Sequence, residues 1–135
     1  VKKPKTINRQ AIRKAIEKKC DALWAVAVKT RDGWTCQRCH KYFPEGYRRG
    51  LAAMHCFTRS NHHTRWILDN GAAGCTHCHF YFDSHTTEKD AWFEERIGKE
   101  KWILLKYQKN STATIDRWGI RIGLEQVLKK LEDEE

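Results

Sequence analysis

Cys36-Gln37-Arg38-Cys39, answered downstream by Cys75-Thr76-His77-Cys78, decides how this chain folds. Thiolates at i and i+3 in a tight turn point at one Zn2+, and two such turns supply the four tetrahedral ligands of a closed structural site. Cys36, Cys39, Cys75 and Cys78 are therefore expected to share one zinc, with His40 or His77 as the alternative to one of the thiolates. A redox pair is the other reading, but neither motif sits in a thioredoxin-like setting. Cys20 and Cys56 fall outside the pattern and read as small buried hydrophobes.

Outward from the cysteines, Arg31-Asp32-Gly33-Trp34 is a tight turn feeding the first pair, since Asp-Gly supplies the backbone freedom such a turn needs. Pro44, Gly46 and Gly50 mark a loop, after which Leu51 to Phe57 reads as a short strand carrying His55. Thr64 to Leu68 reads as a second strand, closed by Asp69-Asn70-Gly71, and Thr76 to about Phe82 as a helix. Before the knuckle, Thr6 to about Thr30 places Ile12, Ile16, Cys20, Leu23, Trp24 and Ala27 on one helical stripe, with Thr6 or Asn8 as cap. Lys2, Lys3, Lys5, Arg9, Arg13, Lys14, Lys18 and Lys19 make its other face basic, opposed there only by Glu17.

Beyond the second pair, Thr87 with Asp90 resembles a capping box for a helix ending at Ile97, and Gly98 stops it. Trp102, Ile103 and Leu105 read as core contacts of another helix. Leu124, Val127, Leu128 and Leu131 form a final stripe, fit for intramolecular packing or for a homodimer, before an acidic end. The expected class is α+β: a basic N-terminal helix over residues 1–30, a zinc-stapled core over 31–86 and a helical extension over 87–135, in one unit.

With 135 residues and 32% of them charged, apolar burial alone is thin, so zinc is expected to be structural. A formal net charge of +9 favours a polyanionic partner, DNA above all. No apolar run approaches the roughly 18 to 20 residues that span a bilayer, and no signal-peptide core follows the basic N-terminus. No membrane role is expected. Four of the six cysteines stand in two Cys-x-x-Cys pairs with flanking histidines, which points to metal in a reducing compartment, the cytoplasm, rather than to secreted disulfides.

Together these motifs are similar to those of the HNH nucleases of the ββα-metal class. The resemblance covers about residues 31–85 and rests on the opening knuckle, His55 ending a first strand, Asn70 after a second, and Cys75-Thr76-His77-Cys78-His79 leading into a helix. Asp83 lies one helical turn beyond His79. Within the class, Arg59, Thr64-Arg65-Trp66 and Arg96-Ile97-Gly98 are most similar to phage recombination nucleases of the NinG (Rap) type. The resemblance implies metal-dependent hydrolysis of DNA phosphodiesters, double-stranded or branched, and the host-cell cytoplasm if the chain is phage-encoded.

Physical chemistry suits the implied roles. Deprotonating water near neutral pH suits an imidazole, so His55 is the expected general base, and Asn70 is expected to hold the loop that carries it. His79 and Asp83, at i and i+4, project to one side of a helix and are the expected ligands of a catalytic Mg2+, Mn2+ or other divalent ion. Many members place Asp or His directly before the base, whereas this chain has Met54. Water, substrate phosphate, His62, His63 or His85 are the alternatives for the third ligand. Arg59 and Arg65 are expected to clamp phosphates, and Arg9, Arg13 and Lys14 to contact DNA. The competing functions are a non-catalytic zinc-containing DNA-binding module and an adaptor using the aromatic segment from Trp92 to Trp102.

Overall fold

The structure, a computed structural model, describes residues 8–134. Thr6, Lys2, Lys3 and Lys5 lie outside the described residues. Helix α1, Arg9–Arg31, begins at Asn8, whose side chain accepts from the Ala11 N–H at 3.2 Å. It buries Ile16, Cys20, Trp24, Ala27 and Val28, while Ile12 stays 45% exposed. Its end is a Schellman closure: the Gly33 N–H donates to Thr30 O at 3.0 Å and the Trp34 N–H to Lys29 O at 2.9 Å. Gly33 and Trp34 both adopt left-handed φ values, 64° and 55°. The knuckle that follows is closed by a Thr35–Tyr42 bridge.

Strand β1, Leu51–His55, pairs antiparallel with β2, Gly71–Cys75, in the register His55 to Gly71 and Leu51 to Cys75. The expected second strand, Thr64 to Leu68, is corrected here. That segment is a run of turns leading into a single 3-10 turn, Leu68–Asn70, and the strand is Gly-Ala-Ala-Gly-Cys instead. The reason is packing rather than propensity. A Cβ at Gly71 would collide with the Trp24 indole, and one at Gly74 with the Met54 thioether, so only a strand of small residues fits between these neighbours. Trp66, whose β-propensity suggested the strand, is buried against α1, its Nε1 donating to Asp21 Oδ1 at 2.8 Å.

Helix α2, Thr76–Ser84, starts directly from β2, with Cys75 Sγ accepting from the Cys78 N–H at 3.4 Å as its cap. Helix α3, Thr86–Ile97, has no side-chain cap; the Thr87–Asp90 box does not form because the N-cap is His85, two residues before Thr87. Gly98, at φ 88°, stops it as expected, and α4, Lys99–Lys109, follows. Trp102 and Leu105 are buried, but Ile103 is 57% exposed. Helix α5, Arg117–Asp133, is capped by Asp116 and packs along α1 through Leu124.

Among the described residues the architecture is α+β, five helices around a two-stranded antiparallel sheet. One face of the hairpin meets α1, in a core of Ile16, Cys20, Trp24, Val28, Trp66 and Leu124. Met54, Cys56 and Ala72 meet Phe82, Phe93 and Trp102 in a second core on the other side. A third, with Phe43, Leu51 and Ala73, wraps Cys36, Cys75 and Cys78. No described helix is long and apolar enough to cross a membrane.

Candidate metal centre and histidine site

Cys36, Cys39, Cys75 and Cys78 come together, with their four sulfurs within 4.8 Å of one another. Cys39 Sγ and Cys75 Sγ stand 3.7 Å apart. Four sulfurs at about 2.3 Å from one tetrahedral ion would stand about 3.8 Å apart, so the cluster can hold a metal such as zinc. The Cys39 N–H donates to Cys36 Sγ at 3.5 Å, mirroring the Cys78 N–H on Cys75, and Arg38 Nη1 donates to Cys78 Sγ at 3.4 Å. Burial pushes the Cys78 thiol up to about 12, whereas backbone N–H groups of Cys39, Cys75 and Arg38 overcome burial and bring Cys36 down to about 6.

Arg38 also lies over the Tyr81 ring, 4.2 Å from its centroid, tying the knuckle to α2. A buried carboxylate makes a second tie. Asp32, its side chain 4% exposed, accepts from Arg31 Nε at 2.9 Å, from Arg96 Nη2 at 2.8 Å and from the Ala73 N–H at 2.8 Å. Arg96 Nη1 reaches Gln37 Oε1 at 2.7 Å, and Arg31 reaches the carbonyls of Leu68 and Gly71. The turn, the hairpin and α3 are thereby joined at one residue.

His55 ends β1 on the face toward α1, its ring stacked on the Trp24 indole with centroids 4.0 Å apart and planes at 15°. Its Nε2 lies 3.0 Å from the Arg65 carbonyl. A carbonyl only accepts, so Nε2 carries the proton and Nδ1 holds the free lone pair. Burial lowers the His55 pKa below the usual 6.5, against a partial rise from the Arg65 carbonyl. Asn70 is fully buried and grips the chain just past His55. The Phe57 N–H donates to Asn70 Oδ1 at 2.8 Å, Asn70 Nδ2 donates to Phe57 O at 3.0 Å, and the Cys56 N–H donates to Asn70 O at 2.8 Å.

His79 and Asp83 share the exposed side of α2, Nε2 and Oδ1 3.8 Å apart. Met54, 1% exposed, packs inward and cannot turn to them. Of the alternative ligands, His63 Nε2 lies 2.6 Å from Ala113 O and His85 Nδ1 2.8 Å from Tyr81 O, while His62 Nδ1 stands 3.3 Å from Glu17 without a hydrogen bond. Among the described residues, the four cysteines are the group of three or more side chains that can hold a metal, and neither His79 nor Asp83 belongs to one.

Arg65 corrects the expectation of a phosphate clamp. Its guanidinium faces inward, 2.9 and 2.6 Å from the two Asp21 carboxylate oxygens and 3.4 Å from Glu17, and only 9% of the residue is exposed. Arg59, Arg9 and Lys14 are exposed, and Arg13 is 56% exposed beside Glu17 at 3.7 Å. The sequence marked Trp24 only as core and Asp32 only as a turn former; neither periodicity nor spacing signals the stack on His55 or the Arg96 pair. No family model, curated protein or solved structure matches the chain.

Proposed function

We propose that the chain is an HNH-type endonuclease that hydrolyses DNA phosphodiesters with the help of a divalent ion. The observation that carries this reading is the double hydrogen bond between Asn70 and the Phe57 backbone, directly after a strand-ending histidine whose Nε2 is engaged by a carbonyl. An asparagine fully buried to hold two backbone groups fixes the direction of the His55 ring, which is what a general base requires. With Nε2 protonated and the pKa lowered, His55 is neutral at pH 7 and offers Nδ1 to a water proton.

His79 and Asp83 are the residues that would hold the catalytic ion, and their nitrogen and oxygen donors suit Mg2+ or Mn2+ completed by water and phosphate oxygens. Such an ion supplies charge stabilisation at the leaving oxygen. The exposed side chains of Arg9, Arg13 and Lys14 stand about 15 to 22 Å along α1 from Trp24, at 1.5 Å per residue, and extend a cationic track away from His55. Arg59 adds charge beside it. Branched DNA of the recombination type is the substrate the family resemblance favours, and zinc is the structural metal.

Buried Met54 supports a second reading, a zinc-containing DNA-binding module whose hydrolytic site has lapsed. Cleavage of supercoiled plasmid and of a labelled four-way junction with Mg2+, Mn2+ or Ni2+ separates the two. The nuclease reading expects cutting by wild type and a loss of about 100-fold or more in His55→Ala, with zinc content unchanged. Tight binding without cutting under any ion would leave the binding module.

A further inference from the structure

The Schellman closure that ends α1 places Lys29 and Trp34 against each other, and a second cation joins them. Arg48, in the single 3-10 turn Arg48–Gly50 before β1, lays its guanidinium 3.8 Å from the centroid of the Trp34 ring, and Lys29 Nζ is 5.3 Å from the same ring. Among the described residues, no carboxylate lies within ion-pair distance of either. The Arg48 Nε atom is buried and has no hydrogen-bond partner. Burial, and then Arg48 beside it, pull the Lys29 ammonium below the usual lysine range. Trp34 itself is held at φ 55°, a conformation that a bulky residue rarely adopts.

Two like charges over one indole, an orphaned guanidinium N–H and a strained aromatic beneath them are an arrangement that lacks an anion. We propose that Lys29, Arg48 and Trp34 form a binding site for a backbone phosphate of the nucleic acid. Guanidinium and ammonium both donate to phosphate oxygens, and the ring fixes their separation without competing for the anion. Lys29 stands five residues beyond Trp24 on α1, about 7.5 Å along the axis from the indole that stacks on His55. The site differs from the N-terminal track of Arg9, Arg13 and Lys14 in being built, with its charges preorganised, rather than merely exposed.

The proposal rests on the nucleic-acid reading above, and its test separates the two. Duplex DNA binding is measured by fluorescence anisotropy across a sodium chloride series, on a His55→Ala background that prevents cutting. Lys29→Gln combined with Arg48→Gln should reduce the slope of log K against log salt by about 0.9, the value for one phosphate contact, while zinc content and circular dichroism stay unchanged. Arg48→Lys in place of Arg48→Gln should restore about half of that loss. Lys129→Gln combined with Lys130→Gln, on the exposed side of α5, removes equal charge and should leave the slope nearly unchanged. A slope unaltered in the first variant, or lowered equally in the α5 variant, overturns the phosphate site alone. Absence of any DNA binding by the parent protein overturns the nucleic-acid reading with it.

Discussion

His55 draws its chemical character from three neighbours. The Arg65 carbonyl selects the tautomer, Trp24 covers one ring face, and Asn70 secures the backbone beyond it. Because the folded pKa lies below the ordinary 6.5, the neutral base survives to lower pH than a solvated histidine would. On the proposed nuclease reading the acid limb of kcat/KM is therefore expected below 6.5, and Trp24→Leu, which uncovers the ring, should move it back up toward that value. Titration of the His55 ring protons by NMR checks both; a ring titrating above 6.5 in wild type would contradict the burial argument. Stability has the matching sign. The share due to neutral His55 is fully present above the unfolded value and is lost as pH falls from there through the folded pKa. Asn70→Ala leaves the Phe57 N–H and C=O without their partner and should destabilise the fold by about 1–3 kcal/mol, measured by urea unfolding.

Element by element, what the sequence discloses depends on whether the cause is local. Helix α1 was legible because its stripe repeats at helical spacing, and the stop at Gly98 because a left-handed residue there suits glycine. The position of β2 was not. Trp66 and Ile67 have strand propensity, while Gly71 to Gly74 have little, and only the proximity of Trp24 and Met54 reverses that order. Arg65 misled for the same kind of reason: its partners Asp21 and Glu17 lie on a distant helix. The Asp32 junction is the element-scale test. Asp32→Ala leaves Arg31, Arg96 and the Ala73 N–H without a shared acceptor in a buried place, and a loss of about 3–5 kcal/mol is expected. Arg96→Ala should lose less in the same unfolding experiment, because the Arg31 pair and the Ala73 bond survive it.

For the whole molecule, the cysteine cluster links the knuckle to the β2–α2 corner, two parts of the chain separated by the entire His55 loop. The cluster was read from spacing alone because four thiolates at paired i, i+3 positions have few other uses. Its geometry bears on His55 and Asn70 indirectly, since Asn70 immediately precedes the strand that Cys75 ends. One zinc per chain is expected by elemental analysis. Cys75→Ser or a strong chelator should abolish that stoichiometry and the cooperative thermal transition together, as expected where a small core depends on its metal to fold. Retention of the transition without metal would show that the three apolar cores suffice.

The pairing of α1 with α5 has a bearing on how the chain is made. The surface that receives Leu124 on Ile16, Cys20 and Trp24 exists once α1 emerges, but its cover is the last helix described. At about 5–20 residues per second of synthesis, the interval between the two is on the order of ten seconds. During that time the apolar residues that Leu124 later covers are exposed to solvent or a chaperone, awaiting a helix not yet translated.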